Sequence, residues 1–79
     1  MEKEKIYCLN DLEVKESYTG LYDEYDIYYT PDKKGEVKFS HNWNGDGEKS
    51  WKIIKESPDT EYSVRRDYKN KRYYLIEYL

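Results

Sequence analysis

Apolar and polar residues alternate through most of this chain. From Leu21 to Thr30 the odd positions are Leu21, Asp23, Tyr25, Ile27 and Tyr29, and the even ones are Tyr22, Glu24, Asp26, Tyr28 and Thr30. A period of two is the mark of a half-buried strand. Pro31-Asp32-Lys33-Lys34-Gly35 then interrupts it with turn-forming residues. Beyond the turn, Val37, Phe39, His41 and Trp43 alternate with Glu36, Lys38, Ser40 and Asn42. Pairing Tyr29 with Val37 sets Ile27 against Phe39 and Tyr25 against His41, which collects the apolar residues on one face, as register requires.

The run Asn44-Gly45-Asp46-Gly47 contains two dipeptides that favour tight hairpin turns. Lys49 to Glu56, carrying Trp51, Ile53 and Ile54, is expected to be a strand, with a helical turn closed by Pro58 as the alternative. Thr60 to Asp67 alternates again, Tyr62 and Val64 against Glu61, Ser63 and Arg65. After a turn at Lys69-Asn70-Lys71 comes a last strand, Arg72 to Leu79, apolar on both sides. Such a strand is usually central, covered on both faces, or closes a barrel. A three-residue loop would pair Val64 with Ile76 and Tyr62 with Tyr78, whereas a two-residue loop would pair Tyr68 with Tyr73. At the start, Lys5 to Leu9 reads as a short strand. Residues 10–19 read as another, with a helix capped near Asn10 and ended by Gly20 as the alternative.

The pattern predicts an all-β fold, a small antiparallel meander of five or six strands forming a curved sheet or a small barrel. One domain over residues 1–79 is expected, with Ile27, Val37, Phe39, Trp43, Trp51, Val64, Leu75 and Ile76 in its core. Composition adds the reason such a chain can fold at all. Charged residues make up 39% and hydrophobic ones 37%, a balance that leans toward disorder without large side chains. Eleven tyrosines, two tryptophans and one phenylalanine supply them, because each aromatic buries on the order of 150–250 Å². The chain contains no alanine and is rich in Lys, Tyr, Glu and Asn, a bias that suggests an AT-rich bacterial or phage gene.

Cys8 is the single cysteine, so no disulfide forms within the chain, and a small buried hydrophobe is the expected role. No signal-peptide core or apolar membrane span is visible, and a cytoplasmic location is expected. The chemistry of catalysis is sparse. His41 is the lone histidine and is expected to be a partly buried, hydrogen-bonded imidazole. The run Asn42 to Gly47 opens like a calcium loop, but its twelfth position is Ile53 where a bidentate carboxylate is needed. No phosphate loop or nucleophile elbow occurs. The expectation is a non-enzyme without metal or cofactor.

Charge is distributed unevenly. Residues 1–32 carry nine acids and three bases, whereas residues 33–79 carry eight acids and eleven bases. The acidic part, with Tyr22, Asp23, Glu24, Asp26 and Tyr28, could form an anionic face that docks on a partner protein. A small inhibitor or regulator of phage or bacterial origin, such as an anti-defence protein blocking a host nuclease, would use such a face. The alternative is a nucleic-acid or nucleotide binder built from Arg65, Arg66, Lys69, Arg72 and Tyr74, since cations interleaved with rings suit phosphates and stacked bases. A third reading, an aromatic platform for a carbohydrate or other small ligand, requires Trp43 or Trp51 to be exposed. A homodimer is also compatible, with the two-faced C-terminal strand as its pairing edge.

Overall fold

The computed structural model describes residues 3–42, 50–67 and 69–79. Each alternating segment forms a strand: β1 (Glu4–Cys8), β2 (Val14–Thr19), β3 (Glu24–Tyr29), β4 (Glu36–Asn42), β5 (Ser50–Lys55), β6 (Glu61–Asp67) and β7 (Arg72–Tyr78). A single 3₁₀ turn at Leu9–Asp11 links β1 to β2, so the helix alternative for residues 10–19 is replaced by turn and strand. The chain is all-β and antiparallel as expected, but it has seven strands among the described residues and neither a single curved sheet nor a barrel. β2-β3-β4-β5 form one sheet and β1-β7-β6 a second. The chain crosses between them twice, from β1 to β2 and from β5 to β6.

The inner faces of the two sheets meet over Leu12, Tyr28, Val37, Phe39, Trp51, Tyr62 and Leu75, with Tyr7, Leu9, Ile53, Val64 and Tyr73 packed around them. Ile27 and Ile76 are as buried as the core but lie outside this cluster. Strand alternation puts each on the outer face of its sheet, one position from inward-facing Tyr28 and Leu75. Trp43 falls outside the described residues.

Two registers differ from the sequence expectation. β3 pairs with β4 so that Tyr28 faces Val37 and Asp26 faces Phe39. The slip of one residue turns Tyr28 toward the other sheet, while Ile27 is buried to the same extent outside the cluster between the sheets. The turn decides this. Thr30 N donates to Gly35 O at 3.1 Å and Gly35 N to Thr30 Oγ1 at 2.9 Å, while Lys33 takes a left-handed φ of 62°. That closure leaves only Pro31 to Lys34 in the loop. In the last hairpin Asp67 pairs with Arg72, Val64 with Leu75 and Tyr62 with Glu77, so the loop is four residues rather than two or three. The Asp67 carboxylate accepts from Asn70 N (3.2 Å) and Asn70 Nδ2 (2.9 Å), which holds the wider turn.

β7 is the middle strand of its sheet, flanked by β1 and β6, so it offers no free edge for dimerisation. Cys8 is exposed rather than buried. It ends the edge strand β1 opposite Tyr74, and alternation from inward-facing Tyr7 turns it away from the core.

Candidate functional site

The β2–β3 hairpin has a tip that turn chemistry does not favour. Gly20 N donates to Asp23 O at 2.7 Å, leaving Leu21 and Tyr22 as the two loop residues. Two-residue hairpin loops select Asn, Asp or Gly, which tolerate positive φ, yet neither Leu21 nor Tyr22 has one. Both side chains stand in solvent, 85% and 87% exposed. Behind them Tyr18 and Tyr25 stack with ring centroids 5.1 Å apart, and Lys38 Nζ sits 4.3 Å from the centre of the Tyr25 ring. The Tyr18 phenol lies over Gly20, where a Cβ would collide with it. Asp23, half-buried, and Glu24, exposed, flank the tip with negative charge.

Of the expected acidic face, Tyr22, Asp23 and Glu24 therefore gather at this tip, whereas Asp26 and Tyr28 face inward. Tyr28 is core, its ring edge-on to Trp51 with centroids 5.9 Å apart. Asp26 Oδ2 lies 2.5 Å from His41 Nε2, the two side chains 23% and 30% exposed. Burial pushes the Asp26 carboxyl up, but hydrogen bonds from Ser17 and His41 and the imidazole's charge outweigh it and hold the group below its ordinary value. His41 is partly buried and partnered, as its strand position suggested.

The expected basic patch is dispersed. Arg65 pairs with Tyr74 on the outer face, while the Arg66 guanidinium donates to the Trp51 carbonyl at 2.5 Å and ties β6 to β5. Lys69 is exposed in the β6–β7 turn. Arg72 and Tyr74 instead line an open groove of about 370 Å³ at the end of the core, together with Phe39, His41, Lys71 and Tyr73. Trp51 is fully buried, which removes it as a ligand platform.

Scans of family models, curated proteins and solved structures found no match to this chain. Function is therefore argued from geometry. Among the described residues no group of three or more His, Cys, Asp or Glu side chains is placed to hold a metal ion, and no helix is long and apolar enough to cross a membrane. The calcium-loop-like run lies mostly in 43–49, outside the described residues.

At the core's margin the Tyr62 hydroxyl donates to Glu77 Oε2 at 3.1 Å and the Tyr7 hydroxyl to Glu77 Oε1 at 3.3 Å, so both neighbours of β7 clamp one carboxylate. Burial first, and then the Glu77 hydrogen bond, raise the Tyr62 phenol well above 10.0; burial and the charge of Asp26 raise Tyr28. A raised folded-state value stabilises the fold fully below the unfolded value and is lost as pH climbs through the folded one. We expect stability to fall steeply above pH 10, with a late step in tyrosinate absorbance that shrinks in Tyr62→Phe, Tyr28 supplying the remainder. An unchanged alkaline profile in that variant would contradict the clamp.

Sequence reasoning missed Leu21 because it was counted as one member of an alternating strand. The signal was available: Gly20 and Asp23 bracket two large apolar residues where a turn was needed. The groove had no such signal, since His41 and Arg72 lie far apart in sequence and on different sheets.

Proposed function

We propose that the chain is a non-enzymatic interaction protein that inserts the β2–β3 hairpin tip into an apolar depression with a basic rim on a partner protein. The observation that supports this is the pair Leu21 and Tyr22, almost wholly exposed at a position where small polar residues would serve the turn better. Adjacent exposed apolar side chains mark interaction sites more often than single ones do, and tyrosine is enriched among the residues that dominate binding energy. Asp23 and Glu24 supply charge that steers a cationic partner and fixes orientation. The stacked Tyr18 and Tyr25 stiffen the hairpin behind its tip, which limits the entropy lost on docking.

A small cytoplasmic inhibitor or regulator fits this description, for instance a phage or bacterial anti-defence protein occupying the basic channel of a nuclease. A photo-crosslinking side chain in place of Tyr22 should join one dominant protein in host extract, and the same group in place of Lys52 should not. With that protein in hand, Leu21→Ser with Tyr22→Ser should weaken affinity about 100-fold, most of it from Tyr22, since a tyrosine at the centre of an interface contributes roughly 2 kcal/mol or more. Thermal stability should stay at the wild-type value, because neither side chain is buried. Equal affinity of the double variant would exclude the tip as the docking element.

A further inference from the structure

We infer that the groove at the end of the core binds a mononucleotide, its base against the aromatic wall and its phosphate at the cationic mouth. Two independent features meet there. The wall is aromatic: the half-buried rings of Tyr73 and His41 each pack edge-on against Phe39, itself 3% exposed, with centroids 4.8 Å apart. The mouth is cationic: Lys71 and Arg72 are exposed at the start of β7, the former held at a left-handed φ of 55°. The nearest charge opposing them on their own hairpin is Asp67, which feels Arg72 electrostatically; across the groove Asp26 is engaged by His41. Planar rings beside exposed cations match the chemistry of a base and its phosphate, which stack and pair with such groups. The volume, about 370 Å³, lies at the lower end for a small-ligand site.

Charge selects one nucleotide over a strand. The chain is net −3, without the basic footprint that a polymer-tracking protein carries. The register also brings Glu24 opposite Asn42, immediately beyond His41, so a polyanion leaving the groove on that side would run toward Asp23 and Glu24. A single phosphate avoids that repulsion.

The test is titration of the isotopically labelled protein at low salt with AMP and CMP, followed by the amide signals of residues 39–41 and 71–74. Saturable shifts confined to these segments are expected, with inorganic phosphate at least about tenfold weaker than either nucleotide. Lys71→Gln with Arg72→Gln should weaken AMP binding about tenfold and flatten its salt dependence, with an unchanged unfolding midpoint. No saturation at millimolar AMP, phosphate binding as tightly as AMP, or shifts centred elsewhere would overturn the inference. So would a thymidine oligonucleotide binding more than about tenfold tighter than the mononucleotide, which would identify a strand as the ligand. The double variant at Leu21 and Tyr22 should bind AMP normally, so this site and the hairpin tip stand or fall separately.

Discussion

Trp51→Ala should leave the chain unfolded or close to it at room temperature. Trp51 has no exposed surface, and its ring packs edge-on against both Tyr28 and Phe39. Its indole N–H donates to the Tyr74 carbonyl at 3.1 Å, reaching from β5 to the middle strand of the other sheet. Truncating a buried Trp costs about 3–5 kcal/mol through lost transfer energy and the cavity left behind. A chain of this length has a total stability of roughly 4–12 kcal/mol, taking about 0.05–0.15 kcal/mol per residue. The loss is therefore the whole of it at the lower end of that range and about a quarter or more at the upper end. Trp51→Phe keeps most of the ring contact but drops the hydrogen bond, and should cost about half as much. Urea unfolding followed by circular dichroism distinguishes these outcomes. A midpoint for Trp51→Ala within error of wild type would mean that the two sheets do not depend on this ring.

The all-β class was legible because alternation is a local property, readable without knowing which strand pairs with which. Register was not, and β3 shows why. Tyr25, Ile27 and Tyr29 make one apolar face and Tyr22 and Tyr28 contribute to the other, so period two alone permits either face to turn inward. The choice fell to the Thr30–Gly35 closure and to the ring of Tyr28 seating on Trp51. The same ambiguity explains the acidic face. Asp26 shares the inward side with Tyr28 once the register slips, while Asp23 and Glu24 stay at the tip. The expectation that β7 is a central strand is borne out by its place between β1 and β6, with Leu75 and Ile76 almost completely buried. Its central place in a three-stranded sheet depends on β1 returning to pair with it from the far end of the sequence, a long-range pairing that no local pattern encodes. Cys8 was misplaced for a related reason: an apolar stretch at a sheet edge has one side with nothing packed against it.

Asp32→Ala should destabilise the fold by about 1–3 kcal/mol, a large effect for one residue of a surface turn. The Asp32 carboxylate accepts hydrogen bonds from the Thr30 hydroxyl at 2.5 Å, from Lys34 N at 3.1 Å and from the Ser57 hydroxyl. Thr30 and Ser57 are both buried, at 1% and 9% exposure; in the variant the Thr30 hydroxyl keeps Gly35 N and the Gly35 carbonyl as partners, whereas the Ser57 hydroxyl loses its acceptor, at a cost of about 1–3 kcal/mol. Ser57 lies on the β5–β6 connection, one of the two places where the chain passes from one sheet to the other. The contact there is close enough that a Cβ on Gly35 would sit 2.8 Å from the Lys55 carbonyl oxygen and 3.1 Å from Ser57 N. Lys34 and Asp59 add an exposed ion pair across the same gap, worth little by itself. Burial pushes the Asp32 carboxyl up, but the hydrogen bonds from Ser57, Thr30 and Lys34 and the charge of Lys34 prevail and hold it below 3.8. The sign follows. A depressed folded-state value stabilises the fold above the unfolded value and is lost as pH falls through the folded one. The wild-type urea midpoint should therefore drop as the solution is acidified below about pH 4, with Asp26 contributing in the same direction. In Asp32→Asn, whose amide accepts some of the same bonds but does not titrate, the starting midpoint should be lower and the acid limb shallower. Parallel acid limbs in the two proteins would show that the Asp32 carboxylate does not couple proton uptake to unfolding. A shallower limb, with faster hydrogen exchange at the amides of 57–62, would identify the Asp32 turn as the element that holds the crossover between sheets in place.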